Sequence, residues 1–303
     1  MKYDEIPAFT LVPTKRAPEP VKIQAPRAPR FIDDVAAGLV ELPTIPAVVQ
    51  QLIAALRNPD IDARTIGRTL ARDPVLASKV LRLANSSYFG GQRSMSSIDA
   101  AVALIGTAAL NRLIVACGVS SSFGAVPGID LELFWRDARL AAKAAHMLAA
   151  QLAADPEEAY LCGLLHATGH LILCRSYPEI ANAMFTGYAT VRGIELAAIE
   201  LEAFGIEHPT VGALWCASID IPQAVADAIG RTTRPAAEIQ GALDMALHGA
   251  CTLATAVAQQ ATAEDALAAL HDGVRARFTA SKGEPGPAFL RLYENLRESC
   301  TTA

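Results

Sequence analysis

The chain has 303 residues, of which 52% are hydrophobic, 19% charged and 6% aromatic. This composition excludes a wholly disordered chain, and no apolar run reaches the roughly 20 residues that span a bilayer. The formal charge of −5, from 26 basic and 31 acidic residues, argues against nucleic-acid binding, which needs a concentrated basic surface. Residues 1–30 lack the apolar region of a signal peptide, so we expect a cytoplasmic protein without membrane insertion.

The first thirty residues differ from the rest of the chain. They contain six of the 18 prolines, six basic residues and three acidic ones, so this segment carries +3 and the remainder −8. Such a Pro-rich basic segment is typical of a flexible tail. It is either a disordered leader or a tail that docks on an acidic surface, its own or a partner's.

From residue 31 onward the pattern is helical, because Ala and Leu are abundant and period-two alternation is scarce. An all-α fold is therefore predicted. Strong helix starts are Ser97, Asp73 with Pro74, and Asp155 with Pro156. The predicted helices cover 44–56, 62–71, a segment from 74, 97–108, 131–153, a segment from 156 through LCGLLHATGHLIL, 178–191, 194–204, 208–217, 222–231, 238–259, 264–271 and 288–299.

Six cysteines and a histidine pair are the first candidates for chemistry. The cysteines, at 117, 162, 174, 216, 251 and 300, form no C-x-x-C pair, so we expect reduced thiols that behave as small hydrophobes. His166 and His170 are spaced i, i+4, which places them on one face if a single helix carries both. Two ligands do not make a metal site, and no acidic residue lies between them. A polar, hydrogen-bonded helix face is the favoured interpretation and a metal site the alternative.

Six segments follow one another in a characteristic order. They are LPTIPAVVQQLIAAL (42–56), DPVLASKVLRLANSSYF (73–89), SIDAAVALIGTAALNRLIV (97–115), FWRDARLAAKAAHMLA (134–149), PEEAYLCGLLHATGHLIL (156–173) and EHPTVGALWCASIDIPQAVADAI (207–229). The most specific block is DP-x-L-…-L-x-x-ANS-x-x-[YF]. This series resembles the HDOD family, the output-type relatives of HD metal-dependent phosphohydrolases, and the resemblance covers about residues 31–260.

The resemblance implies a multi-helix fold with four parts. The flexible tail (1–30) precedes an N-terminal helical subdomain (31–124), which packs on a degenerate HD-like helical bundle (125–260), and a C-terminal helical extension (261–303) follows. The boundary between subdomain and bundle is placed at the loop GAVPGID, residues 124–130.

HD enzymes hold one or two divalent metals with a His, a His-Asp doublet and a distant Asp. The resemblance places Asp137 at the first position, His166-Ala167 at the doublet and Cys251 at the last. His170 stands where a Lys often follows the doublet. Since a hydrolytic metal needs about three protein ligands plus an open water position, we expect no enzyme activity, no bound metal and no cofactor.

A lost HD site implies a polar-lined pocket with Asp137, His166, His170 and His208 as candidate lining. This pocket either binds an anion or nucleotide without turnover or is a structural remnant. Candidate partner contacts are Asn85, Ser86, Arg231 and Arg234, whose ordinary roles would be helix capping and a solvated helix end. Trp135 and Trp215 are expected to anchor the core.

Known HDOD proteins are mostly regulators in bacterial signalling. The resemblance therefore implies a non-catalytic adaptor that binds a protein such as a diguanylate cyclase, a phosphodiesterase or a two-component protein. That role would connect the chain to cyclic-di-GMP, motility or two-component signalling. The alternatives are a ligand sensor that binds a nucleotide or anion, and a divergent phosphohydrolase that uses Asp137, His166 and His170.

Overall fold

The computed structural model describes residues 30–56, 63–70, 73–85, 97–188, 193–235, 238–239, 241–280 and 283–301. Across these ranges the regular structure is α-helical without strands, apart from one isolated antiparallel bridge between Thr279 and Pro285. The predicted all-α class is therefore confirmed. Within the same ranges, no helix combines the length and apolarity needed to cross a membrane. Positions 1–29 of the predicted tail lie outside the described residues.

The helices follow one another along the chain with short connections. They are α1 (Phe31–Ala36), α2 (Ala47–Leu56), α3 (Ala63–Leu70), α4 (Pro74–Ala84), α5 (Ile98–Ile105), α6 (Thr107–Ser121), α7 (Leu131–Leu152), α8 (Pro156–Leu165), α9 (Thr168–Ser176), α10 (Pro178–Tyr188), α11 (Gly193–Phe204), α12 (His208–Ser218), α13 (Gln223–Gly230), α14 (Ala242–Ala258), α15 (Ala263–Ala268), α16 (Asp272–Phe278) and α17 (Pro287–Thr301).

Local capping signals place several helix starts where the sequence predicts them. The Asp155 carboxylate accepts hydrogen bonds from the backbone N–H groups of Glu157 and Glu158, and Pro156 occupies the first turn of α8. Ser97 caps α5 in the same way. Each cap satisfies backbone donors that the first turn of a helix leaves unpaired.

Four predicted helix boundaries are wrong. The helix predicted to be capped by Thr44 starts at Ala47, and the helix predicted over 238–259 starts at Ala242. The helix predicted to run from Ser97 to Ala108 ends at Ile105, because Gly106 has φ +81°, and the separate helix α6 follows. The segment 264–271 ends early at Ala268, and α16 begins at Asp272, where the His271 side chain accepts a hydrogen bond from the Gly273 N–H.

The segment LCGLLHATGHLIL is not one helix. Ala167, with φ −105° and ψ 3°, separates α8 from α9. The Thr168 hydroxyl donates to the Leu165 carbonyl at 2.7 Å, which satisfies an acceptor at the end of α8. His166 is the C-cap of α8, whereas His170 lies in α9, so the prediction that they share one helix face is wrong.

Two hydrophobic clusters meet along helix α7. One cluster joins residues of α2–α6 to residues of α8, α9, α12 and α13, and it includes Trp135 from α7. The other joins the opposite side of α7, through residues such as Leu148, to α14–α17. Phe123, which precedes the predicted boundary loop, packs its ring against both Trp135 and Trp215, with centroids 5.5 and 5.4 Å apart. Helices from both sides of that loop therefore share the first core.

Both tryptophans are buried, and Trp215 also ties α12 to the segment before α2. Its side chain is fully buried, and its Nε1–H donates to the Pro43 carbonyl at 2.7 Å. We expect Trp215→Phe to lower the free energy of unfolding by about 2 kcal/mol, because it leaves a buried carbonyl unpaired. Urea unfolding followed by circular dichroism measures this loss.

Trp135→Phe is the matched control for this prediction. The buried Nε1–H of Trp135 has no hydrogen-bond partner among the residues described, so the variant removes a similar volume without breaking a hydrogen bond. We expect a smaller loss than for Trp215→Phe. Equal losses in the two variants would show that the Pro43 hydrogen bond contributes little.

Candidate functional site

A buried carboxylate joins two histidines from different helices. Glu200 of α11 is buried, and its Oε1 lies 2.6 Å from His170 Nδ1 on α9. Its Oε2 lies 2.5 Å from His208 Nδ1 and also accepts the His208 backbone N–H at 2.8 Å. Because a carboxylate oxygen only accepts, both Nδ1 atoms carry the donated hydrogen. We call Glu200, His170 and His208 the His–Glu–His cluster.

The Glu200 carboxylate is held in its ionised form by the hydrogen bonds that it accepts. Burial opposes the charge on Glu200, but the hydrogen bonds and electrostatic interaction with His170 and His208 outweigh burial and lower its pKa to about 2. Both oxygens of the Glu200 carboxylate accept hydrogen bonds from groups of the same chain. The cluster therefore fixes α9, α11 and α12 relative to one another.

Because the pKa of Glu200 is lowered on folding, part of the free energy of unfolding depends on pH. Its pKa falls from an ordinary 4.5 to about 2 on folding, so its stabilising contribution is present above pH 4.5 and is lost as the pH falls towards 2. That contribution is about 3 kcal/mol. Urea unfolding at stepped pH should show the stability gap between wild type and Glu200→Gln narrowing across this window. A constant gap would contradict the prediction.

His166 lies at a position that the resemblance assigns to the HD ligands. Its Nδ1 lies 2.8 Å from the Gly163 carbonyl. Burial disfavours the charged ring, whereas Cys251 of α14, the Gly163 carbonyl and the Asp137 carboxylate favour it and raise the pKa of His166 to about 9.

Asp137 lies on the outer part of this region. Its side chain is 51% exposed and forms an ion pair with the neighbouring Arg136, with 3.0 Å between Nη2 and Oδ1. Of the four residues predicted to line one pocket, His170 and His208 meet through Glu200, and Asp137 acts on His166 through its charge. That all four line a single pocket stays a prediction.

The positions that the resemblance assigns to the HD metal ligands offer few donors in this region. Ala167 has no donor side chain, and the exposed Asp137 carboxylate is paired with Arg136. Both Glu200 oxygens already accept hydrogen bonds. In the part of the chain that the structure describes, no three His, Cys, Asp or Glu side chains form a group able to hold a metal ion.

The predicted partner contacts have different surroundings. Arg231, at the end of α13, forms two hydrogen bonds of 3.0 Å with the Asp244 carboxylate of α14, so it links two helices of its own chain. The Asn85 side chain donates to the Leu81 carbonyl at the end of α4, and Arg234 is exposed. Ser86 lies outside the described residues. Arg234 is therefore the candidate best placed to reach a partner.

Sequence reasoning missed Glu200, although a signal was present. Leu196 and Phe204, each one helical turn away on the same face, are both buried. A carboxylate between two buried apolar positions on one stripe requires a partner inside the protein. The apolar stripe of GIELAAIELEAF could therefore have identified Glu200 as a buried, paired acid.

Sequence comparison identifies a relative of this chain. A protein of Treponema pallidum (strain Nichols) is 24% identical over 214 residues, which is 70% of this chain and 41% of that protein. The chain thus spans less than half the length of this relative, which has no described function.

Solved structures share the fold. A candidate phosphohydrolase from Shewanella amazonensis SB2B is 25% identical with a TM-score of 0.70, covering 90% of this chain and 97% of that one. An HDOD domain protein of unknown function from Geobacter sulfurreducens has 20% identity and a TM-score of 0.69, covering 88% and 96%. A candidate signal transduction protein from Marinobacter aquaeolei VT8 has 20% identity and a TM-score of 0.62, covering 91% and 62%.

The family model of the HDOD domain matches residues 42–235, which is more than half of the chain. This segment contains the helices that carry the His–Glu–His cluster. The chain belongs to the HDOD domain family.

Proposed function

We propose that this HDOD protein is a non-catalytic regulator that acts by binding another protein. The observation that carries the proposal is that the polar groups of the HD-like site bond to other groups of the same chain. Both Glu200 oxygens accept hydrogen bonds from His170 and His208, and the His166 Nδ1 lies 2.8 Å from the Gly163 carbonyl. A site whose polar groups bond to one another stabilises a scaffold and leaves little for a substrate.

Two further lines support a regulatory role. HDOD proteins are mostly regulators of bacterial signalling, and one structural neighbour carries the name of a signal transduction protein. Another neighbour is named as a candidate phosphohydrolase, which favours a divergent hydrolase as the second candidate function. Ala167 argues against that second candidate, because it removes the carboxylate that HD chemistry needs beside His166.

The proposed partner is a diguanylate cyclase, a cyclic-di-GMP phosphodiesterase or a two-component protein. The family-matched segment offers Val75 on α4, a 66% exposed apolar side chain at the x position of the DP-x-L motif. Apolar surface that is exposed in the free chain is removed from water when a partner covers it. We therefore place the partner's contact on the exposed side of α4.

The experiment titrates the full chain against purified cyclases, phosphodiesterases and histidine kinases from the same genome, measuring binding by interferometry and turnover of each enzyme. We expect one of them to bind and change its rate, and Val75→Asp to abolish both effects. The matched control is Leu290→Asp, on an exposed residue of α17 outside the family-matched segment, which should bind normally.

Three outcomes would contradict this proposal. If none of these enzymes binds the chain, the adaptor role is contradicted. If both aspartate variants bind equally well, the proposed contact on α4 is contradicted. Heat released on adding cyclic-di-GMP to the chain alone, measured by calorimetry, would favour the ligand sensor instead.

A further inference from the structure

Two neighbouring helices present large apolar side chains to the solvent. Leu201 of α11 is 55% exposed and Leu214 of α12 is 41% exposed. The hydrogen bonds of Glu200 with His208 join these two helices, and α13 packs against α12. We call the exposed side of α11, α12 and α13, within residues 193–230, the α11–α13 face. Its leucines are apolar surface that a docked segment would remove from water.

The charged residues around these leucines are all acidic. Residues 193–230 contain six acidic residues and neither lysine nor arginine. Besides the buried Glu200 they are Glu195, Glu202, Glu207, Asp220 and Asp227, of which all except the half-buried Glu207 are exposed. Within the part of the chain that the structure describes, none of these five carboxylates belongs to an ion pair. Arg231, which follows α13, interacts electrostatically with Asp227 but is bound to Asp244 of α14. The face therefore favours a basic occupant.

The N-terminal part of the described chain packs against the ends of α11 and α12. The hydroxyl of Tyr177, between α9 and α10, donates to the Asp34 carboxylate of α1 at 2.8 Å. The ring of Tyr177 packs against that of Phe204, the last residue of α11, with centroids 5.9 Å apart. The Trp215 Nε1–H of α12 donates to the Pro43 carbonyl. The segment that precedes α1 is therefore attached beside the α11–α13 face.

The sequence of this preceding segment is complementary to the face. Residues 15–29 contain four basic residues and one acidic residue, so they carry +3, and Val21 and Ile23 flank Lys22. The 29 residues before Arg30 can span up to about 100 Å when extended, so their length does not limit which part of the face they reach. Attachment to the same chain makes the encounter intramolecular, so that weak individual contacts suffice.

We propose that residues 15–29 bind the α11–α13 face of their own chain. The basic side chains of the segment face the carboxylates of α11–α13, and Val21 and Ile23 cover Leu201 and Leu214. Exposed ion pairs are individually weak and are screened by salt, so this binding depends on several charges acting together and weakens as the ionic strength rises. The contact is independent of the partner surface proposed on α4.

The test treats the full chain with a carbodiimide, which joins lysine amines directly to carboxylates without a spacer. An equal mixture of unlabelled and ¹⁵N-labelled protein lets mass spectrometry separate links within one chain from links between chains. We expect Lys15 and Lys22 to be linked within one chain to Glu195 and Glu202, at least about fivefold more often than to the exposed Glu294 of α17. In about 1 M sodium chloride, where the Debye length is about 3 Å, the links to α11 should fall at least about fivefold.

Two double variants separate the charge of the face from general reactivity. Glu195→Gln combined with Glu202→Gln should lower the links to the remaining Asp220 carboxylate at least about threefold, because the segment loses two of its opposite charges. The matched control combines Glu264→Gln with Glu294→Gln, at exposed positions of α15 and α17, and should leave those links unchanged. Absent links to the face, links mainly between chains, links to Glu294 as frequent as those to α11, yields that do not respond to salt, or equal effects of the two double variants would each overturn the proposal.

Discussion

Glu200→Gln is expected to lower the free energy of unfolding at pH 7 by about 3 kcal/mol or more. Glutamine replaces one carboxylate oxygen with an NH₂ donor. That donor must face His170 Nδ1–H or the two His208 N–H groups that now bond to Glu200. One or two buried donors are then left unpaired, which is costly in a site without access to water. Urea unfolding followed by circular dichroism measures the loss.

Glu202→Gln is the matched control for this change. Glu202 lies on the same helix, α11, but its side chain is exposed. The same substitution there should change the free energy of unfolding by less than about 0.5 kcal/mol. Similar small losses in both variants would mean that the His–Glu–His cluster does not stabilise the fold.

Gly169→Ala is expected to destabilise the protein by about 3 kcal/mol or to prevent folding. A Cβ atom at Gly169 would lie 2.0 Å from the His208 carbonyl oxygen and 2.6 Å from the Gly212 nitrogen. Both atoms belong to the backbone of α12, so no side-chain rotation relieves the clash. Helix α9 would have to move away from α12 and draw His170 away from Glu200. Thermal and urea unfolding of the purified variant measure the effect.

Gly67→Ala provides the control for a glycine in a helix. A Cβ at Gly67 of α3 meets nothing within 4 Å. Alanine has the higher helix propensity, so this variant should be neutral or up to about 1 kcal/mol more stable. If Gly169→Ala were as stable as Gly67→Ala, α9 and α12 could not be packed as closely as described.

The features predictable from the sequence are those with a local cause. The start of α8 follows from Asp155 and Pro156, whose capping needs only the next few residues. The predominance of Ala and Leu predicts the all-α class, since propensity accumulates along each segment. The HDOD motifs likewise identify the family, because they are contiguous blocks of sequence.

The break between α8 and α9 was not predicted, because the spacing of His166 and His170 is that of one helical face. The close approach of α12 at Gly169 is a contact between segments about forty residues apart. A long-range contact of this kind cannot be read from the hydrophobic periodicity of the sequence.

The candidate site was predictable only in part for the same reason. The resemblance singles out His166, His170 and Cys251 by their positions and His208 as candidate pocket lining, but their partners depend on how the helices pack. Glu200 lies 30 residues from His170 in the sequence, on a different helix. The His–Glu–His cluster is therefore a property of the fold.

The metal content of the full chain tests most directly whether the HD-like site holds a catalytic metal. The purified protein is incubated with manganese, iron or zinc, desalted, and analysed by inductively coupled plasma mass spectrometry beside His166→Ala. We predict substoichiometric metal that is the same in both proteins. One metal ion per chain that is lost in His166→Ala would contradict a non-catalytic role for this site.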